Sequence, residues 1–386
     1  MKVYPPENGC LVIKSWCDAP ENGAVEQAKN LARLPFVFKQ ICLMPDTHQG
    51  YGMPIGGVMA ADNVVVPNAV GVDIGCGMCA VQSSLENISV DDLKIVLGKI
   101  REQIPLGFNR HKESQDYTLM PAFENMHDVC EREYTSALNQ LGTLGGGNHF
   151  IEVQKGSDGH VWVMIHSGSR NLGKQVADHY NKKAEEINAK YYSSVPKEWE
   201  LAFLPFDCED GRHYMAEMQY CVDFALANRK LMMTRVEDII KEVTQATFGD
   251  VINIAHNYAR MESHFGKNVL IHRKGATSAR EGEIGIIPGS QGTLSYIVQG
   301  LGSHESFQSC SHGAGRKMGR KQAQRTLDLD EEKSKLDSQG ILHAIRGVDD
   351  LDEASGAYKS IDVVMKEQED LVKPVVELRP LAVVKG

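Results

Sequence analysis

The sequence predicts an α+β fold. Segments with helical apolar spacing are interspersed with short runs rich in β-branched residues, and no internal repeat or low-complexity linker divides the chain. Ala24 to Leu34 carries apolar residues at near-helical spacing. Asp91 to Ile104 opens on acidic residues, as a helix start favours, and Val90, Leu93, Val96, Leu97 and Ile100 form one stripe. Lys174 to Tyr192 reads as a helix with a polar face, and His213 to Thr247, free of Gly and Pro, as one long helix or a pair. Gly315 to Thr326 and Asp362 to Leu371 are shorter helical candidates, and the charged run Asp328 to Lys335 reads as a solvated helix face. Strands are expected at Val64 to Val66, His149 to Val153, His160 to Ile165, Val269 to His272 and Gly285 to Ile287.

Composition narrows the function classes. At ~150 residues per domain, 386 residues suggest two or three domains. The net charge of -10 argues against nucleic acid, whose binders are usually basic, unless a basic patch is concentrated locally. No apolar run is long enough for a transmembrane helix, and Met1 to Gly9 lacks a signal-peptide core. The nine cysteines are odd in number and scattered, which fits reduced thiols in a cytoplasmic protein. Cys76-Gly-Met-Cys79 has no second CxxC, so a zinc ribbon is not indicated.

The 36 glycines exceed the roughly 27 of average usage, and they cluster in six loops. These are Asp46 to Gly52, Gly71 to Gly77, Gly142 to His149, His166 to Arg170, Pro288 to Gly292 and His312 to Arg316. Five of the six also carry a His or Cys, a pairing of close backbone approach with metal-type ligands.

Two of these histidines flank a predicted hairpin. A two-residue loop at Ser157-Asp158 would make paired positions sum to 315, so that His149 and His166 oppose one another and share a metal. Asp73 and Cys76 lie three apart in one loop, and His256 sits in an apolar stretch. The five together offer one oxygen, one sulfur and three nitrogen ligands, and a bridging thiolate makes a two-metal site plausible. His312 is a competent nucleophile toward phosphorus. Five basic residues and no acidic one lie between positions 312 and 325, a local basic patch whose helix start beside a Gly loop would cradle phosphate.

Taken together, Asp73-Ile-Gly-Cys76, Gly145-Gly-Gly-Asn-His149, His166-Ser-Gly-Ser-Arg170, Ala255-His-Asn257, His272-Arg-Lys-Gly-Ala-Thr277, Pro288-Gly-Ser290 and His312-Gly-Ala-Gly-Arg316 closely resemble the RtcB family of RNA-splicing ligases. The motifs run in the family's order from about residue 43 to the last residue. The resemblance implies central β-sheets flanked by helices with the active site in a central cleft. It implies joining of RNA 2′,3′-cyclic phosphate or 3′-phosphate ends to 5′-hydroxyl ends, using GTP and two Mn²⁺, in RNA repair or tRNA splicing. An activating protein partner is compatible with it, and a membrane is not implied.

Residue by residue, the resemblance assigns Cys76, His149 and His166 to one Mn²⁺ and Asp73, Cys76 and His256 to the second. His312 would take GMP from GTP. Asn148, Glu152, Asn257, Ser290 and Ser295 would contact the nucleotide, with Pro288, Gly289 and Gln291 in the same segment. Gly313, Ala314 and Gly315 would hold phosphate, Lys385 would read guanine, and Tyr358 would border the base. Asp46 and His48 would lie near the site. Arg170, Lys274, Arg280, Arg316 and Arg320 are candidates for RNA phosphates on local charge.

Two features depart from the family pattern: the chain is short, and Gln291 stands where Met is expected. A site fed from positions 46 to 385 does not divide, so residues 1–386 are expected to form a single domain, against the length prior. A dinuclear phosphodiesterase or phosphatase acting on RNA ends, and a metal-dependent RNA-binding factor, use the same ligands and stay open at this point.

Overall fold

The computed structural model describes residues 1–6 and 9–386. Two sheets dominate. The six-stranded sheet runs, in spatial order, Lys2–Tyr4, Val12–Ser15, Val37–His48, Ile55–Ala61, Lys267–Lys274 and Asn257–His264. The seven-stranded sheet runs Ile252–Ala255, Gly77–Gln82, Val161–Ser167, Phe150–Gly156, Val372–Lys385, Ser295–Gly300 and Ile284–Ile287. Within both, the ladders are antiparallel except the pairing of Val12–Ser15 with Val37–His48.

Register places the functional loops. In the seven-stranded sheet, Ala255 pairs with Gly77, Gly77 with Ser167, Phe150 with His166, and Lys385 with Phe150. Five neighbouring strands therefore end at one rim, and Cys76, His149, His166, His256 and Lys385 all sit on it. Position 77 must be Gly, because a Cβ there would lie 2.0 Å from the Ile254 carbonyl oxygen. His256 stands where the chain leaves this sheet; the next residue opens the edge strand of the other sheet.

The hairpin between Phe150–Gly156 and Val161–Ser167 corrects the expected register. Paired positions sum to 316, as in Ile151 with Ile165. The loop has three residues, Ser157 to Gly159, and Gly159 takes φ +87°. A third loop residue in the left-handed region adds a bulge that shifts the pairing by one. His149 precedes the strand instead of lying in it, and Phe150 opposes His166.

The helices fall close to their expected places. Val90–Gln103 is capped by Ser89 Oγ, which accepts from Asp92 N at 3.0 Å, and buries Leu93, Val96, Leu97 and Ile100. Arg170–Lys190, Asn22–Ala32 and Ile361–Lys366 answer to three further candidates. The charged run forms Leu329–Asp337, capped by Asp328 and burying only Glu332 and Leu336. The short basic helix starts at Arg320, not Gly315, because Arg316 to Gly319 turn aside to form side-chain contacts described below. Periodicity missed the helix Asp128–Gln140 and two long strands: Val37–His48, buried along most of its length, and Val372–Lys385, which alternates only from Val376 to Pro380.

Glu209–Thr244, a 36-residue helix, is the spine. Its first half packs Tyr214, Met218 and Cys221 against Val176 and Tyr180. Its second half packs Met232, Val236 and Ile239 against Val163 and Ile165 of the seven-stranded sheet. Between the halves it buries two polar residues. Asn228 Oδ1 accepts from the backbone N–H of Gly142 (2.7 Å) and Thr143 (3.1 Å), and Nδ2 donates to Thr143 O, Ser167 Oγ and Gly168 O. Arg229 Nη1 donates to Gly75 O and Ser167 O, both at 2.9 Å, and Nε to Asn253 Oδ1 at 2.8 Å. Asn228 and Arg229 thus tie down the four segments that carry Cys76, His149, His166 and His256.

All nine cysteines are free. Among the described residues, no helix is long and apolar enough to cross a membrane. Asn228→Ala strands the buried N–H groups of Gly142 and Thr143, at ~1–3 kcal/mol each. Urea unfolding should show a loss of about 3 kcal/mol, well beyond an exposed Asn→Ala change.

Candidate active site

Cys76 is the centre of the cluster. Its Sγ lies 3.5 Å from His149 Nε2 and 3.3 Å from His166 Nε2, and His149 Nε2 lies 3.2 Å from Asp73 Oδ2. The His166 and His256 rings are 5.2 Å apart. Two ligand groups result: Asp73, Cys76 and His149, and Cys76, His166 and His256. The structure brings the five expected residues together, with Cys76 common to both groups. The donor atoms group His149 with Asp73 and His166 with His256, where the resemblance puts His149 with His166 and Asp73 with His256. The one-residue register shift is the reason: it leaves His149 in the turn facing the Asp73 loop and His166 in the strand facing His256.

The residues fit a pair of transition-metal ions. His149 Nδ1 donates to Leu144 O (2.9 Å) and His166 Nδ1 to Asn148 O (3.1 Å). A carbonyl only accepts, so each Nδ1 carries the proton and each Nε2 presents its lone pair. Burial pushes His166 and His256 well below the usual histidine range, which keeps both neutral. Burial and the Asp73 charge push the Cys76 thiol far up, a state that cations bound to the thiolate would reverse.

His312 joins this cluster from the other sheet's side. It follows the short strand Ser309–Ser311, paired with Ala276–Ser278, and its ring centroid lies 4.8 Å from that of His256. Asp46, at the end of Val37–His48, is fully buried. Its Oδ2 accepts from His312 Nδ1 at 2.6 Å, from His312 N at 3.0 Å and from Gly313 N at 3.3 Å. The carboxylate therefore holds the proton on Nδ1 and leaves Nε2 free. Lys359 Nζ donates to Pro45 O (3.1 Å) and Thr47 O (2.6 Å), clamping the peptide on both sides of Asp46. Gly315, at φ +72°, packs on the same residue; a Cβ there would lie 2.2 Å from Asp46 O. His48 Nδ1 donates to Asp46 O at 3.0 Å, and burial lowers its pKa to about 4.

The remaining expected residues gather beside this centre. Asn257 Nδ2 donates to Asp73 O and its Oδ1 accepts from Gly275 N, so it braces the metal loop. Gly289 N donates to Ser295 Oγ at 3.1 Å, and Ser290 N to Thr293 Oγ1, closing the 288–295 turn against Gly313. Ala314 is buried. Gln291 Nε2 donates to Glu353 O at 3.1 Å, a bond that the expected Met could not make. Lys385 lies 3.7 Å from Glu353, and burial lowers its pKa. Gly147, Gln291, Asp352, Glu353 and Lys385 line a cavity of about 220 Å³.

Glu353 carries no signal in the sequence. It sits in the acidic stretch Asp349 to Glu353, yet it is buried and accepts from Arg316 (3.1 Å), Arg320 (3.1 Å) and the Tyr358 hydroxyl. Arg316 also lies over the Tyr358 ring, 5.1 Å from its centroid. The basic patch is therefore partly neutralised from within, leaving Lys317, Lys321 and Arg325 exposed. Two of the expected phosphate ligands are likewise occupied. Lys274 is buried, with Nζ donating to Tyr51 O and Asn68 O, and burial lowers its pKa to about 7. Arg170 donates to Thr143 Oγ1 and Gly107 O.

Glu152 supplies a pH test. Burial raises its carboxyl to about 8, against a hydrogen bond from Gln154 and the charge of Lys385. The folded protein holds the extra proton, so the Glu152 contribution to stability declines as pH rises from its unfolded value, near 4.5, toward 8. Thermal melts of wild type and Glu152→Gln should therefore diverge across that window, with the wild type losing ground at the higher pH.

The sequence matches the family described as tRNA-splicing ligase RtcB over residues 27–134 and 121–386. An RNA-splicing ligase RtcB of Escherichia coli (strain K12) is 36% identical over 97% of this chain and 97% of its own length. A tRNA-splicing ligase RtcB of Thermococcus kodakarensis is 34% identical over 95% of this chain and 92% of its own, and an RNA-splicing ligase RtcB of Mycobacterium bovis 31% identical over 93% and 100%. The first two alignments extend over 406 and 444 residues, so the brevity of the chain lies in internal gaps. The chain belongs to the RtcB family.

Proposed function

We propose that this protein is an RNA ligase that joins a 3′-phosphate or 2′,3′-cyclic phosphate end to a 5′-hydroxyl end, using GTP and Mn²⁺, in RNA repair or tRNA splicing. The observation that carries the reading is His312, held by Asp46 with Nε2 free, in ring contact with a ligand of the Cys76 cluster. Family membership and the names of the relatives support it.

In this mechanism His312 Nε2 attacks the α-phosphorus of GTP. A nitrogen–phosphorus bond forms, the bond to pyrophosphate breaks, and His312 carries GMP. Asp46 stabilises the positive charge that develops on the ring, as a carboxylate does for a catalytic imidazole. The RNA 3′-phosphate then displaces His312 and takes the GMP, and attack by the 5′-hydroxyl releases GMP and closes the phosphodiester. Two Mn²⁺, one on Asp73, Cys76 and His149 and one on Cys76, His166 and His256, would neutralise charge on the phosphoryl oxygens. Lys385 lines the cavity, and Glu152 lies diagonally across the adjacent strand from it, two residues beyond its partner Phe150; a donor and a carboxyl there suit the O6 and N1–N2 edge of guanine. The runner-up, a dinuclear phosphodiesterase, needs neither the oriented His312 nor a base pocket.

Incubation with α-labelled GTP and Mn²⁺ should leave acid-labile label on the wild type and none on His312→Ala. Equal labelling of the two, or none on either, removes the ligase reading. Asp46→Asn should slow labelling by on the order of a hundredfold or more. Cys76→Ala should lower the occupancy of both metal sites by elemental analysis; two Mn²⁺ per chain in that variant would exclude the shared thiolate.

A further inference from the structure

We propose that the turn Leu106 to Asn109 is a stacking platform for the single-stranded RNA nucleotide next to the reacting end, with Arg110 and Lys112 taking its phosphates. This rests on the ligase reading above.

The turn is built onto the active site. Gly107 N donates to Gly145 O at 2.9 Å, Leu144 N to Pro105 O at 3.0 Å, and Arg170 Nη2 to Gly107 O at 2.9 Å. Gly145 begins the loop that presents His149, and a Cβ on Gly107 would lie 3.9 Å from the carbonyl carbon of Gly386, the neighbour of Lys385. Asn109 N donates back to Leu106 O at 3.1 Å, and Gly107 takes φ +61°, so the turn is tight. Beyond it, His111 N is fixed to Asn139 O at 3.0 Å.

At the tip of this pinned segment, Phe108 is fully exposed, at 105% of its reference area. A rigid, solvated phenyl costs little ordering entropy on stacking and receives any base, because every base has a π-face. Arg110 and Lys112 are exposed, and neither has a hydrogen-bond or ion-pair partner among the described residues. In a chain of net charge -10, where Arg316, Arg320 and Lys274 are committed internally, two unpaired cations beside an exposed aromatic suit a polyanion with unstacked bases.

The test is binding of a short fluorescent single-stranded RNA ending in a 3′-phosphate, by anisotropy across a salt series, with GMP labelling measured in parallel. Phe108→Ala should weaken RNA binding on the order of tenfold, and Phe108→Trp should restore it. Reversal of both cations, Arg110→Glu with Lys112→Glu, should flatten the log–log salt dependence by roughly 0.7 for each phosphate no longer neutralised. The proposal is overturned if RNA affinity and salt slope in these variants match the wild type. It is also overturned if GMP labelling falls in step with RNA binding, which would assign the turn to the integrity of the site instead. A wild type that takes no label from GTP sinks the ligase reading, whereas the RNA-binding comparison reports on the turn alone.

Discussion

Five strands of the seven-stranded sheet end at the same rim because of their antiparallel register, and the site depends on this. Each strand carries a chemically useful residue at or just outside its last paired position. Sliding any one strand by a residue would exchange its two faces and withdraw its ligand from the rim. The sheet alone does not hold the loops beyond its edge, where backbone groups have no ladder partners. Asn228 and Arg229, adjacent on the spine helix, supply those partners from below. The helix packs against the sheet through one apolar face, so sheet register and loop position are coupled through one rigid element.

His312 reaches the centre from the opposite direction. Asp46 belongs to the six-stranded sheet, and its carboxylate binds both the ring and the backbone of His312. Two partners determine where Asp46 sits: Lys359 through the flanking carbonyls, and Gly315 by offering no side chain. The Cys76 cluster and His312 are thus anchored on different sheets and meet at His256, the residue through which the chain passes between them. That geometry requires both sheets to fold together and explains why the site residues span nearly the whole sequence.

Charge is used locally. The chain is acidic overall, and two of the five cations in its apparent basic patch, Arg316 and Arg320, are matched by Glu353, which also holds the Tyr358 hydroxyl and lies near Lys385. A buried carboxylate with four partners is costly to desolvate and therefore tends to specify one arrangement of those partners. Here it fixes the aromatic ring, two guanidinium groups and the penultimate lysine around one cavity.

The α+β class, the principal helices and the residues that gather at the candidate site are legible in the chain before any fold is known. Those features are written in local periodicity and in Gly loops that carry a His or Cys, and the motif resemblance gathers them into one family. Long-range packing settled the rest. The hairpin register turned on whether Gly159 enters the left-handed region, and this decided which histidine lies beside Asp73 and which beside His256. Asn228, Arg229 and Glu353 carried no local signal, because a buried polar residue on a helix and an acid in an acidic run look like solvated ones until their distant partners are placed. Lys274 and Arg170 erred the other way: their charge was legible, but the carbonyls that take it up come from segments that only the fold brings near.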